Sequence, residues 1–374
     1  MPYETFIIEI DGEEITDVYQ DLMGFEVEMD DELAGMFRLH IGMTLQPDGV
    51  WTHLDDERFR IWKPVVISAG FGEASDELIS GYITNVKPLF DPEPSRVMLE
   101  IWGMDKSVLL DREEVLKDWP GKKDSDIATE IFNLYGLTPV VEDTSVVHDE
   151  NVTTIIQRET DMRFLRRLAL RNGYECYVQG DSGYFRPPQI DADPQPVLSA
   201  HFGNQTTLND FKLDVNALAP ANVAMFQVDR ASKETMQVTA DSSEQTALGA
   251  TDAAGFQGTD VEPARNYVAR NGASSEAEMT ALCQGLFHQG EWFVTAEGDV
   301  PANLYAHVLV PRSTVTIRGI GETYSGVYYV THVTHIFNSE GYRQHMKAKR
   351  NGLLLTGSEN FAVDSGGLLG AVGL

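Results

Sequence analysis

Two acidic side chains, Glu159 and Asp161, form the part of the sequence that most resembles a catalytic pair. Paired carboxylates act as general acid and as base or nucleophile in most glycoside hydrolases. The same two residues stand at the start of a segment with helical spacing, where acidic side chains stabilise the first turn through the helix dipole. We expect them to cap a helix, and we keep a carbohydrate-active or other hydrolase that uses Glu159 or Asp161 as the alternative.

Two histidines near the end of the chain, His332 and His335, resemble a pair of metal ligands. The Val, Thr and Tyr residues around them favour a strand, and residues three positions apart on a strand point to opposite faces. His345, on the next predicted strand, could approach one of them. We expect polar strand residues here and no metal.

Sequence motifs for other kinds of catalysis are missing. The chain has no G-x-S-x-G elbow, no G-x-x-x-x-G-K-[ST] loop and no paired C-x-x-C, which are the patterns of common nucleophile, phosphate and zinc sites. Its two cysteines, Cys176 and Cys283, are far apart in sequence, which excludes a disulfide scaffold. We expect no enzymatic activity and no cofactor.

Four arginines, Arg163, Arg166, Arg167 and Arg171, lie on the helix that follows the acidic pair. The whole chain has a formal net charge of −30, so this helix reverses the local sign of charge. A solvated helix face explains the arginines, and so does contact with an acidic surface such as a neighbouring copy of this chain. We leave both explanations open.

A duplicated β unit is the main element that must position these residues. Tyr82–Phe90 aligns without a gap with Tyr329–Phe337 and is identical at Tyr, Thr, Val and Phe. A V-x-I strand precedes each copy and another strand follows it, at Val65–Ile67 and Val315–Ile317 before, and at Arg96–Ile101 and Arg343–Lys349 after. An ordered strand–turn–strand series that occurs twice predicts an internal duplication of one small antiparallel β unit.

The composition limits the class of protein. A length of 374 residues suggests two or three domains, and no run approaches the roughly 20 apolar residues of a membrane helix. The first residues lack the basic and apolar regions of a signal peptide. The net charge of −30 argues against binding to nucleic acids or anionic membranes, which requires clustered lysines and arginines.

The order of predicted elements gives the domain organisation. Short strands at regular spacing predict a small antiparallel barrel or sandwich over residues 1–107, and two helices with a hairpin predict an α+β domain over 108–200. A second β domain follows at 201–360, with a helix near 275–289 and a polar arm at 239–262. Residues 361–374 are expected to be a tail that becomes ordered against a partner.

Three stretches of the sequence resemble the phage late control D proteins, the baseplate hub that also forms the first half of VgrG spikes. The middle stretch, 157–169 with Gly173, resembles the Q-x-E-[ST]-D-x-x-F-L-x-R-L-A…G helix of that family. The late stretch, 315–342, resembles its v-x-i-x-G…G-x-Y-x-V-x-x-V-x-H…G-Y segment, and the early stretch runs from Gly81 to Leu110. The residues that carry the resemblance are Gly81, Tyr82, Gln157, Glu159, Asp161, Phe164, Leu165, Leu168, Gly173, Gly319, Gly326, Tyr329 and His335.

The resemblance implies a fold and a role. It implies two related antiparallel β-barrels with an intervening α+β domain, and a homotrimer whose six barrels form a pseudo-sixfold ring. Such a ring is a structural adaptor between the sixfold tube and the threefold central spike of a contractile tail or injection system, and it contacts other baseplate proteins. The particle would assemble in the bacterial or archaeal cytoplasm. No OB-fold or β-helix follows in this chain, so the spike would be a separate protein, and a negative channel wall would let cargo pass.

Overall fold

The computed structural model describes residues 3–148, 150, 154–218, 221–229, 232–257, 264–268, 273 and 275–362. Its strands are β1 (Glu4–Ile10), β2 (Glu13–Glu14), β3 (Leu22–Asp30), β4 (Met36–Gly42), β5 (Pro64–Phe71), β6 (Ala74–Leu89), β7 (Met98–Asp105), β8 (Glu114–Trp119), β9 (Thr138–Val141), β10 (Ile155–Thr160), β11 (Glu175–Gln179), β12 (Ser182–Arg186), β13 (Gln195–Ser199), β14 (Asn209–Val215), β15 (Ala221–Val228), β16 (Thr235–Ala240), β17 (Thr251–Asp252), β18 (Ala264–Val268), β19 (Val294–Pro301), β20 (Ser313–Arg318), β21 (Gly326–Asn338), β22 (Gly341–Arg350) and β23 (Gly352–Leu353). Its α-helices are α1 (Asp124–Leu134), α2 (Asp161–Asn172), α3 (Ala253–Gln257), α4 (Glu276–Gly290) and α5 (Ala302–Tyr305), and short 3₁₀ helices cover Glu57–Phe59, Pro94–Arg96, Lys106–Asp111 and Gly203–Gln205.

One large, almost wholly antiparallel sheet dominates the β-rich fold. Eleven strands follow one another in the order β14-β19-β22-β21-β3-β4-β7-β6-β5-β1-β2, and β20 joins β21 with β13 beside it in parallel. Its strands form because apolar and polar residues alternate: β4 buries Phe37, Leu39 and Ile41, and β7 buries Leu99 and Ile101. No helix in the described part of the chain is long and apolar enough to cross a membrane.

The duplicated unit has the same topology and register in both copies. β5, β6 and β7 form one antiparallel meander, and β20, β21 and β22 form the other. Each middle strand carries a β-bulge at its aligned threonine, Thr84 or Thr331. The two threonine hydroxyls donate to equivalent carbonyl oxygens, of Trp102 at 3.4 Å and of Lys347 at 3.2 Å. The duplication inferred from the sequence is therefore present in the backbone.

The two copies share a single hydrogen-bonded sheet. Strand β3 pairs antiparallel with β21, from Asp30 opposite His332 to Gly24 opposite Asn338. This junction satisfies backbone groups that two separate sheets would leave open at their edges. The first hydrophobic core consequently takes in Tyr342 from the second copy.

The middle of the chain has a core of its own between two helices and two small sheets. Strand β8 pairs with β10, and β11, β12 and β9 form the other sheet. Trp119, Phe132, Phe164 and Phe185 are buried between them. The predicted boundary at residue 200 needs a correction, because β13 already pairs with β20 in the large sheet.

The polar segment 239–262 was expected to be an extended arm, and this is wrong for residues 239–257. Leu248 and Ala253 are buried, and the guanidinium of buried Arg350 donates to the Leu248 carbonyl oxygen at 2.8 Å. The Asn351 side chain accepts from the Leu248 amide, also at 2.8 Å. The polar segment is held in place because the carbonyl oxygen and the amide of Leu248 form hydrogen bonds with Arg350 and Asn351. Residues 258–262 and 363–374 lie outside the described residues, and the helix expected near 275–289 is α4, capped by Ser275.

A first prediction concerns Gly81, where a Cβ atom would overlap the carbonyl oxygen of Met104 on the neighbouring strand. We expect Gly81→Ala to lower the free energy of unfolding by about 1–3 kcal/mol, because the strands must separate locally. Urea denaturation measures this. Gly42→Ala is the control, because its nearest atom would be the Asp21 carbonyl oxygen at an ordinary 3.4 Å. Equal losses in the two variants would contradict the prediction.

Candidate functional site

The start of α2 is built around a buried glutamine, Gln157. The indole nitrogen of Trp119 donates to Gln157 Oε1 at 3.1 Å, and Gln157 Nε2 donates to Asp161 Oδ1 at 2.7 Å. The other oxygen of Asp161 accepts from the Tyr135 hydroxyl at 2.7 Å. Two polar residues of the helix motif, Gln157 and Asp161, thus belong to a chain of hydrogen bonds that fixes where α2 begins.

The caps and the apolar face of α2 complete the motif. The Thr160 hydroxyl accepts from the Arg163 amide at the N-terminus, and Gly173 ends the helix in the left-handed conformation, with φ 67°. Phe164, Leu165 and Leu168 are fully buried in the core of the middle region. The side chains at the motif positions of this helix pack the helix into place.

The acidic pair is engaged in the same local structure. Glu159 Oε1 accepts from Arg167 Nε at 2.7 Å, and both oxygens of Asp161 hold donors from Gln157 and Tyr135. These side-chain bonds occupy both carboxylates at the start of α2, while the hydroxyl that caps the helix is that of Thr160. None of these contacts supports the alternative of a hydrolase that uses Glu159 or Asp161.

The four arginines do not form one face. Arg163 and Arg167 are exposed, and Arg166 lines a cleft of about 700 Å³ that also contains Lys349. Its Nε is buried and has no hydrogen-bond partner in the described part of the chain. Arg171 is a correction: it points inward, and its Nε donates to Asp124 Oδ2 at 2.6 Å. A contact face can therefore include the first three arginines, while the fourth serves the interior.

Arg171 belongs to a buried ionic cluster that joins three helices. Asp124 on α1 accepts from Arg171 on α2 and lies 3.1 Å from His148 Nε2, while Arg171 lies 3.6 Å from Glu278 on α4. Burial alone would raise the pKa of Asp124, but its bonds to His148 and Arg171 lower that pKa to about 2. The cluster fixes α4 against the middle region through charged groups that compensate one another.

The three histidines of the second copy have separate polar partners. His332 Nδ1 lies 3.0 Å from an Asp30 carboxylate oxygen, and His345 Nδ1 lies 2.8 Å from Asp299. His335 is fully buried, with its Nδ1 2.7 Å from the Tyr342 hydroxyl, and burial lowers its pKa to about 3. Among the described residues, no group of three or more His, Cys, Asp or Glu side chains could hold a metal ion.

The remaining motif residues, Tyr82, Gly319 and Gly326, lie in or beside strands of the large sheet. Tyr82 is half-buried in β6. Gly319 and Gly326 lie at opposite ends of the β20–β21 turn, where a side chain would overlap Ala200 or Arg350. The structure distributes the motif positions along α2 and the large sheet and does not gather them into one pocket.

Tyr329 contacts an ionisable group, the carboxylate of Glu175, that the sequence analysis did not identify. The hydroxyl of this buried tyrosine donates to Glu175 Oε1 at 2.7 Å, and Lys349 lies beside them, paired with Asp31 at 2.9 Å. Burial raises the pKa of Glu175 to about 7. The available signal in the sequence was an acidic residue, Glu175, directly before the apolar run Cys176-Tyr177-Val178. This contact ties the middle region to the large sheet.

The double replacement Glu159→Gln with Asp161→Asn tests the capping role. We expect it to lower the free energy of unfolding by about 1–2 kcal/mol, because the helix start loses its negative charges and a charge-assisted acceptor. Chemical denaturation is the measurement. The matched control, Glu113→Gln with Asp118→Asn, changes exposed acidic residues nearby and should be nearly neutral. Unchanged stability in the first variant would remove the capping interpretation.

A pH prediction follows from Glu175. Because the folded state raises its pKa from 4.5 to about 7, the unfolded chain loses this proton first, and stability falls as the pH rises between these values. Glu175→Gln should remove this part of the fall and make the protein more stable than wild type at pH 8 by about 1–3 kcal/mol. Denaturation at pH 5 and pH 8 checks this, with exposed Glu73→Gln as control. A Gln variant whose stability falls as steeply as wild type would refute it.

Comparison with solved structures identifies the fold. The 43 kDa tail protein of prophage MuSo2 from Shewanella oneidensis matches with a TM-score of 0.67 and 12% identity, over 93% of this chain and 99% of that one. A tail protein from Neisseria meningitidis MC58 matches with a TM-score of 0.64 and 10% identity, over 93% and 97%. At such identities the likeness establishes a shared fold.

A third structure extends the likeness to secretion systems. An E. coli component of the type VI secretion system, described as similar to the T4 bacteriophage tail proteins gp27 and gp5, matches with a TM-score of 0.53 and 11% identity, over 92% of this chain and 76% of that one. No curated protein matches the chain.

A family model covers most of the sequence. The model described as the Alg8 N-terminal domain matches residues 2–339, which takes in both β copies up to β21 and everything between them. The chain belongs to the Alg8 N-terminal domain family, and its fold is that of phage tail proteins.

Proposed function

We propose that this chain is the structural baseplate hub of a contractile tail or injection system. Its role is to join a sixfold tail tube to a threefold central spike as a homotrimer. The observation that carries the proposal is the duplicated β unit, present twice in one sheet with equivalent register and bulges. The fold shared with phage tail proteins supports it.

The duplication gives the mechanism in geometric terms. Three chains bring six equivalent β units, so one face of a ring can present six similar surfaces while the whole assembly keeps threefold symmetry. The two units correspond to the proposed barrel domains, which are residues 1–107 and a second domain that starts with β13 at Gln195 and runs to residue 360, with the α+β domain between them. The chain's function is then to convert one symmetry into the other through subunit packing.

The partners follow from this geometry. The proposed partners are a hexameric tube ring, the spike and neighbouring baseplate proteins, and the exposed arginines of α2 offer a contact for an acidic surface. The net charge of −30 is suited to a channel wall that repels acidic cargo and so does not retain it. We propose assembly of the particle in the cytoplasm of a bacterium or archaeon.

The molar mass and the shape of the purified protein test the hub. We expect light scattering to give three times the chain mass of 41.5 kDa, and class averages from negative-stain microscopy to show a ring with a central hole and six outer lobes. The reason is that six equivalent units close one ring only when three chains combine. A compact monomer at every protein concentration and salt concentration, also when the spike is present, would overturn the proposal.

A further inference from the structure

The β3–β21 junction joins one strand of each unit. The strands equivalent to β3 and β21 in the opposite units have edges that pair with no described strand. In the first unit β3 lies beside β4 and β4 beside β7; in the second, β14 lies beside β19 and β19 beside β22. The registers make Glu26 equivalent to Lys212, because their partners Arg38 and Glu297 face the aligned residues of β7 and β22. Strands β3 and β14 are therefore the same element of the repeat.

The sequences of these two strands agree once they are placed together. Residues 25–29 of β3 read Phe-Glu-Val-Glu-Met, and residues 211–215 of β14 read Phe-Lys-Leu-Asp-Val. In both, the first, third and fifth residues are apolar and the other two are charged. The same pattern is thus present twice, on the first strand of each unit in the order along the sheet.

The edges of these equivalent strands differ in what they pair with. β3 lies between β4 and β21, but β14 pairs with β19 alone among the described strands. Strand β6 is the equivalent of β21, and its pairing with β5 ends at Tyr82. From Asn85 to Leu89 it pairs with β7 only, in the part of the chain that the structure describes. Two complementary half-junctions are consequently open.

Burial shows the same asymmetry. At the closed junction Phe337 is 7% exposed and stacks on Phe25, with ring centroids 4.4 Å apart. The equivalent of Phe337 is Phe90, which is 56% exposed, and its neighbour Leu89 is 41% exposed. Phe211, the equivalent of Phe25, is partly buried. Phe90 is thus exposed at the open β6 edge, whereas its equivalent Phe337 is covered at the closed junction.

We infer that β6 of one copy and β14 of the next pair antiparallel, in the register of the β3–β21 junction. This inference rests on the proposed function and specifies the contact that closes the ring. The intrachain register places Lys87 opposite Asp214 and Phe90 opposite Phe211. The first pair has opposite charges directly across the strands, which favours this register. The second repeats the phenylalanine stack inside the chain.

The open edge on β6 contains Pro88, which the proposed register places opposite Leu213. Proline has no amide proton, so this edge offers one donor fewer to any added strand, β14 included, and the proposed junction depends on its side-chain pairs as well as on its remaining backbone bonds. The junction is also head to tail, because it joins two different edges. Head-to-tail contacts form a closed ring when the rotation between subunits closes, and otherwise a filament.

A cysteine pair tests the contact. In the variant Lys87→Cys with Asp214→Cys, mild oxidation should link neighbouring copies and produce covalent dimers and trimers on a non-reducing gel. Wild type gives little background because Cys176 and Cys283 are buried. The control Lys87→Cys with Lys212→Cys keeps the second cysteine on the same face, two residues out of register, and should link at least tenfold more slowly. Equal linking rates would overturn the register.

Outcomes for the contact and for the hub are separable in this experiment. A trimer by light scattering without linking in the Lys87→Cys, Asp214→Cys variant would overturn the strand pairing and leave the hub intact. Linked products that grow far beyond trimers would support the pairing and overturn the closed ring. A chain that stays monomeric and unlinked at every protein and salt concentration, also when the spike is present, would overturn both.

Phe90→Ala gives a second measurement. Loss of this exposed ring should leave the fold of the single chain unchanged, as seen by circular dichroism, and raise the concentration at which the trimer dissociates about tenfold or more. Phe226→Ala is the matched control, because Phe226 is 49% exposed on β15, outside the two edges, and should leave trimer dissociation unchanged. An effect of the same size in both variants would count against the contact.

Discussion

The pairing of β3 with β21 is the contact on which the rest of the architecture depends. It joins residues about 300 positions apart and makes one sheet from two copies of a small unit. Phe25 and Phe337 stack across it, and the buried pair His335 and Tyr342 lies beside them. Because a neutral imidazole can accept from or donate to a tyrosine hydroxyl without a net charge, this polar pair is compatible with burial.

The middle region is attached to this sheet by polar contacts. Tyr329 donates to Glu175, and the ionic cluster around Asp124 and Arg171 reaches α4. Directional groups of this kind define one orientation, whereas apolar surfaces alone tolerate several. The residues that best resemble a catalytic or contact motif in the sequence, those of α2, are largely used to hold the helix where these contacts need it.

Local features of the fold could be predicted from the sequence, and long-range ones could not. The repeat was visible because its strands carry the same side chains in the same order, and the caps of α2 and α4 depend on neighbouring residues only. The single sheet was missed because strand pairing over 300 residues leaves no local signal. The polar segment was misjudged because Arg350 and Asn351, about 100 residues away in sequence, bind its backbone at Leu248 and Thr246. Arg171 was misjudged because its position on the helix does not reveal that Asp124 lies opposite.

The two copies have the same backbone arrangement, but equivalent side chains are buried to different extents. This difference in burial indicates where another copy of the chain would pack. Edge strands of soluble proteins usually carry charges or proline, and the β6 edge has Lys87 and Pro88, which limit unspecific strand addition. Here Leu89 and Phe90 stay exposed on an acidic chain, while the same position in the other copy is closed by β3. The isolated chain therefore contains one complete junction and the two halves of another, as expected of a protomer that is completed by copies of itself.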